Sequence, residues 1–203
     1  MIRPPVPSGT RHRLAPEVRR RLLLQAARSV IAERGLHATT IRDVAAAGDV
    51  AVGTVTYHFA GIAEVLAGVI DAEMSAYSAP IMEQARAAVT GLDALQIITD
   101  GLLADGDAAR DHWKLWLDFW ALSAHDELYA ARQSAIYADL HSLVAASFTR
   151  GLDDGSLPGT ADVRSAALAF VALLDGLVVQ CYLPHGAITP DIGRRILGAT
   201  LGT

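Results

Sequence analysis

A single cysteine, Cys181, stands in the 203 residues, so no disulfide can close within the chain, and its apolar neighbours suit a buried, inert thiol. No segment joins a positive start to an apolar core and a small-residue cleavage site. The opening MIRPPVPSGTRHR is polar and proline-rich, which predicts a cytoplasmic location. No hairpin turn separates alternating strands, and no internal repeat is present. A phosphate-binding glycine loop, a nucleophile elbow and zinc-ligand spacing are also missing. Charged residues make up only 19% of the chain against 52% hydrophobic, which excludes disorder.

These absences leave little room for an enzyme. His112 has Asp105, Asp107 and Asp111 nearby in sequence, and His141 has Asp139, but Asp111–His112 and Asp139–His141 share no helix face and no third ligand follows at i+4. Both sets are expected on a solvated face. The sequence calls for no catalytic residue, no metal and no cofactor.

What is present begins with a division of charge. The net charge of −5 hides nine arginines against four acids in residues 1–60, a balance of +5, and −10 in the remainder. A polyanionic partner for the first sixty residues explains this, and so does a basic solvated face with no partner. Residues 1–13 hold prolines and arginines without periodicity and are expected to form a flexible basic arm.

From Pro16, apolar residues recur every three to four positions as far as Gly35, which predicts a first helix. TTIRDVAAAGD predicts a short second helix, with Thr40 and Asp43 in a capping pattern and Gly48-Asp49 as its stop. The stretch VAVGTVTYHF follows, and its β-branched residues would favour a strand by propensity alone. Its neighbours argue otherwise. Ala45 is small enough for two helices to cross closely, Asp49 sits in a turn four residues later, and Val55 is placed to bury against Ile41 and Val44. That is the arrangement of a helix-turn-helix. Val55 and Phe59 then face the core, while Val52, Gly53, Thr54, Thr56, Tyr57 and His58 project toward a groove and its phosphates, with Thr40 and Arg42 at the start of the preceding helix.

Beyond residue 61 the pattern is helical throughout, broken at Pro80, Gly91, Asp105-Gly106, His125-Asp126, residues 151–160 and residues 184–190. The expected fold is all-α, three short helices followed by a bundle of about six. A DNA-binding unit would span residues 14–62 and a second domain residues 63–203.

The segment TTIRDVAAAGDVAVGTVTYHFAGIAEVLAGVI resembles the N-terminal DNA-binding domain of the TetR family of bacterial transcriptional regulators, whose pattern runs T-T-x-x-D-[IV]-A, a turn, V-x-x-G-x-[LIV]-x-x-[YH]-F and a further helix. The match covers residues 16–70 without a gap. More loosely, WKLWLDFWALSAHDEL and GSLPGTADVRSAALAFVALLDGLVVQ resemble the effector domains of the betaine-regulator-like branch. The resemblance implies a homodimeric repressor that binds palindromic double-stranded operator DNA and is released by a small-molecule effector. Three positions depart from the family pattern. Asp49 replaces the usual turn glycine, Ala51 and Val52 replace a serine cap and a lysine, and Ile62 replaces a lysine that commonly follows the Phe. A ligand-binding or protein-partner module with weakened DNA binding therefore stands as the alternative.

Two further stretches offer candidate sites. Trp113, Trp116 and Trp120 share one helix face, with Phe119 beside them, and Tyr137 and Phe170 come from later helices; they suit either core packing or an aromatic-walled pocket for a hydrophobic, aromatic or cationic effector. Residues 165–183 are apolar on all sides apart from Asp175 and Gln180. A membrane span is one reading, opposed by the central Asp and by Pro184. Cover by a second copy is the other, with Val171, Leu174, Asp175 and Val178 as interface residues.

Overall fold

The computed structural model describes residues 14–159 and 162–202, and every regular element among them is a helix. The arm at residues 1–13 lies outside the described residues. Helix α1 (Pro16–Arg34) starts on a proline, whose missing N–H costs nothing in a first turn, and ends at Gly35 with φ +82°. Helix α2 (Ile41–Ala47) opens with the expected capping box: the Thr40 hydroxyl accepts from the Asp43 N–H while the Asp43 carboxylate accepts from the Thr40 N–H.

The exit of α2 is a left-handed turn built on Asp49, whose φ is +49°. Val50 N–H reaches Ala45 O at 3.0 Å and Asp49 N–H reaches Ala46 O at 3.2 Å, a Schellman pair that satisfies two terminal carbonyls. Aspartate tolerates this conformation but glycine is unstrained in it. Asp49→Gly should therefore raise the unfolding free energy by about 1 kcal/mol, read as a higher midpoint in urea with an unchanged slope.

VGTVTYH is helical, forming α3 (Val52–His58), because tertiary burial of Val55 outweighs strand propensity. Val55 and Phe59 pack with Leu23, Ala27, Val44 and Ala45 into a small core shared by the first three helices. Arg20 locks the end of α3: its guanidinium donates to His58 O at 2.6 Å, pairs with Glu64 at 3.0 Å and lies 4.2 Å over the Phe59 ring.

Seven α-helices follow. They are α4 (Ile62–Glu73), α5 (Ala79–Ala87), α6 (Gly91–Leu102), α7 (Asp107–Ser123), α8 (Glu127–Asp153), α9 (Val163–Tyr182) and α10 (Pro190–Ala199). Pro80 does not break the chain's course as expected. A π-helical turn, Met74–Ser78, joins α4 directly to α5, with Ala79 N–H bonded to Met74 O. The wider turn absorbs the proline, which has no N–H to give and whose ring would crowd the carbonyl four residues back.

Helices α8 and α9 lie along one another and α6 packs on α8, so tightly that a Cβ on Gly91 would collide with the backbone of Ser147 and Gly151. Side-chain caps start α6, α8, α9 and α10 through Thr90, Asp126, Asp162 and Thr189. Helix α9 has the length and hydropathy of a membrane span, yet Phe170, Val171, Leu174, Leu177 and Val178 are buried in the core of the bundle. The C-terminal end of α1 is fastened to α7 by Lys114 Nζ donating to Ala32 O at 2.6 Å and Leu36 N–H donating to Asp118 at 3.0 Å.

Candidate functional site

Two surfaces carry chemistry. The first is the outer face of α3. Val52, Gly53, Thr56 and Tyr57 are exposed, Tyr57 at 76%, whereas Thr54 and His58 are half-buried. Tyr57 stands edge-on to His58 with ring centroids 5.0 Å apart. A groove between this face and the start of α1 is lined by Pro16, Arg19, Gly53, Thr54, Tyr57 and His58. Thr40 is engaged in the capping box, and Arg42 beside it is exposed.

The basic balance of this region divides on inspection. Arg20, Arg28 and Arg34 are held by Glu64, Glu73 and Asp43. Arg19, Arg21 and Arg42 have no ion-pair partner among the described residues; Arg19 lines the groove beside α3, and Arg21 and Arg42 are exposed.

The second surface is a cavity of about 240 Å³ inside the bundle. Met74, Ser78 and Met82 enter from the π turn and α5, His112, Trp113 and Trp116 from α7, Ile136, Tyr137 and Leu140 from α8, and Leu174 and Asp175 from α9, with Arg86 and Asp139 also in the lining. Met74, Ser75 and Ser78 of the widened turn all contribute to the lining. Trp113 Nε1 donates to Leu102 O at 2.8 Å, which fixes its indole. Tyr137 donates its hydroxyl to Asp175 at 2.8 Å.

Two carboxylates, Glu73 behind the cavity wall and Asp175 in it, titrate away from their ordinary values in opposite directions. Glu73 is held down to about 2, first by its hydrogen bond with His112 and then by Arg28, against the opposing cost of burial. The stability this contributes is present above the ordinary carboxylate range and is lost as pH falls toward 2. Asp175 goes the other way: burial raises it from 3.8 to about 6, with the Tyr137 hydrogen bond opposing. A folded value above the unfolded one favours the neutral form, so the fold gives up stability as pH rises from about 4 through 6. Asp175→Asn keeps an acceptor for Tyr137 and removes that loss. Its melting temperature should equal wild type below about pH 4 and exceed it above pH 6, by about 1–3 kcal/mol of stability. His112, Arg86 and Asp139 share the lining with Asp175 and are unchanged in that comparison.

Several expected residues sit elsewhere than the sequence implied. Trp113, Trp116 and Tyr137 meet on the cavity wall. Phe119 is fully buried between Trp116 and Tyr129, Phe170 packs edge-on against Phe148, and Trp120 is half-buried outside the lining. Val171, Leu174 and Val178, expected at an interface between copies, point into their own chain's core, and Asp175 faces the cavity. The outward face of α9 carries Leu168, Ala169, Ala172 and Gly176 instead. The physical reason is that a helix apolar on all sides offers no polar stripe to mark its outer face.

His112 is likewise not on a solvated face. It is 1% exposed, stacks on Tyr77 at 4.0 Å and bonds Glu73 through Nδ1 at 3.2 Å. Its position four residues before Trp116, on the same helix face, was the signal available in the sequence. Glu73 lies four residues after Val69 and three after Ile70, on the apolar face of α4, and that spacing was the other.

A helix-turn-helix with an exposed second helix, carried on a helical domain that encloses a ligand-sized cavity, defines a DNA-binding transcriptional regulator. Residues 23–69 match the model of bacterial regulatory proteins of the tetR family, and residues 91–203 match that of the BetI-type transcriptional repressor, C-terminal. The chain belongs to the TetR family, with a C-terminal domain of the BetI type, and is a regulator of transcription rather than an enzyme.

The HTH-type transcriptional regulator BetI of Burkholderia lata is 30% identical over 177 residues, covering 85% of this chain and 86% of the relative. That of Serratia proteamaculans is 28% identical over 176 residues, covering 84% of each. Among solved structures, a putative transcriptional regulator from Saccharomonospora viridis in complex with choline superposes with a TM-score of 0.83 at 22% identity, over 92% of this chain and 96% of that one. A TetR transcription regulator from Haloarcula marismortui superposes with a TM-score of 0.82 at 16% identity, over 92% and 97%.

Proposed function

We propose that the protein is a homodimeric repressor that holds palindromic operator DNA until a small organic effector enters the cavity. The single observation that carries this is the cavity walled by Trp113, Trp116 and Tyr137, in a chain whose α3 is exposed for reading a groove. Indole and phenol faces attract a cation, and Asp175 supplies a carboxylate at the same wall, so the effector is a compact, largely hydrophobic molecule bearing a positive charge. Choline, bound by the regulator from Saccharomonospora viridis, is the natural first probe.

Two recognition helices reach successive major grooves only when about 34 Å apart. An effector that favours any other separation lowers operator affinity. The test is selection of binding sites from random duplex DNA, followed by titration with choline and related amines. Recovery of a palindrome whose binding a cationic ligand weakens supports the proposal; absence of any selected sequence supports the alternative of a module with weakened DNA binding. The missing side-chain cap at Ala51 is the observation behind that second reading.

The contacts should separate by kind. Tyr57→Ala should weaken operator binding about tenfold, and Thr56→Ala should change which sequences are preferred. Arg42→Ala should weaken all DNA to a similar degree and flatten the salt dependence by about one unit. A mobility-shift titration in which Tyr57→Ala matches wild type removes α3 from the interface.

A further inference from the structure

We infer that Glu73 is the positioning residue through which occupancy of the cavity reaches the DNA-binding helices. The inference rests on the proposed effector response and adds its route. The Glu73 carboxylate bridges two parts of the molecule. Oε1 meets His112 Nδ1 at 3.2 Å in the cavity wall, and Arg28 of α1 grips both oxygens, donating from Nε to Oε2 at 2.7 Å and from Nη2 to Oε1 at 3.5 Å.

Both Glu73 and His112 are buried, which removes them from bulk solvent. A buried carboxylate keeps its charge only while it stays paired, which ties the three side chains into one unit. His112 is gripped in turn by Tyr77, stacked at 4.0 Å, and by Trp116, parallel at 6.0 Å. A ligand that displaces Trp116 or the His112 ring therefore moves Glu73 or breaks its bond.

The surroundings make one end soft and the other stiff. The π turn begins at the residue after Glu73, so α4 has a looser joint there. On the far side Arg28 lies in α1, the helix that also carries Arg20 and, through it, the His58 carbonyl at the end of α3. The other ties between α7 and α1, from Lys114 and Asp118, come from side chains outside the cavity lining. Among the polar side-chain links from α7 toward α1 in the described residues, the Glu73 link is the one with a partner, His112, in the cavity lining.

The test compares wild type with Glu73→Gln, Arg28→Met and Lys114→Met, using fluorescence anisotropy of labelled operator with and without choline chloride. Tryptophan emission of ligand-free protein on adding operator is recorded in parallel, since coupling between two sites is reciprocal. In wild type, choline should weaken operator binding roughly 5–150-fold, the usual range of such coupling. Glu73→Gln and Arg28→Met leave the exposed face of α3 untouched, so each folded variant should keep ligand-free operator affinity within about threefold of wild type. Both should bring the choline effect to within about twofold of none and abolish the operator-induced change in emission.

Lys114→Met should keep both responses. Arg28→Met leaves Glu73 and His112 in place, so it answers the question if Glu73→Gln does not fold. If choline has no effect on wild type, the effector reading fails and the emission change decides the relay. Loss of that change in the variants supports the relay. Its persistence in folded Arg28→Met, or its absence from wild type, overturns the relay.

Discussion

Ala172→Glu should turn the proposed dimer into a monomer and remove most operator binding. The outward strip of α9, Leu168, Ala169, Ala172 and Gly176, is apolar and built mostly of small residues, with Leu168 45% exposed. Beside it α8 shows Ala131, Ala135, Ala138 and Ser142 to solvent. Small side chains on two adjacent helices allow close approach of the same two helices from a second copy, giving a four-helix interface of the kind the family resemblance implies.

A glutamate placed there is desolvated without a partner and costs about 3–5 kcal/mol, or roughly 10²- to 10⁴-fold in the dimer constant. A monomer presents one α3 to one half-site, so operator affinity falls with the assembly. Light scattering and mobility shift read the two effects together. Leu174→Glu is the contrast: Leu174 is buried within its own chain, so that variant should unfold rather than dissociate. A wild-type monomer at micromolar concentration would sink the proposal.

Trp116→Ala should abolish the effector response while Trp120→Ala preserves it. The two residues are one turn apart on α7, yet only Trp116 lines the cavity, where it also flanks His112. Truncating a buried indole costs about 3–5 kcal/mol, so Trp116→Ala must first be shown to fold, with Trp116→Phe as the milder substitute. These are two of only three tryptophans in the chain, the third being Trp113 on the same wall, so intrinsic fluorescence follows the cavity closely. A true effector should change emission and release operator over one concentration range in wild type and in Trp120→Ala, and should do neither in Trp116→Ala. Equal responses from both variants would show that α7 contributes packing alone.

Local chemistry by itself determined the helix-turn-helix. Thr40 and Asp43 satisfy each other's backbone at the start of α2, Asp49 tolerates the left-handed turn that ends it, and Ala45 and Val55 have the sizes a close crossing needs. Each of those signals acts within a few residues, so spacing along the chain was enough to find it. Whether Trp113, Trp116 and Tyr137 would meet was not decided at that range. Only the tertiary structure decided which side of α9 turned inward, because Val171 and Ala172 differ in no polarity that a sequence pattern registers, and packing against α8 made the choice. It also placed His112 beside Glu73, 39 positions earlier, and engaged Arg20 and Arg28 in bonds with α3, Glu64 and Glu73. A buried carboxylate needs partners from wherever the fold brings them, and that pairing is a property of the assembled helices.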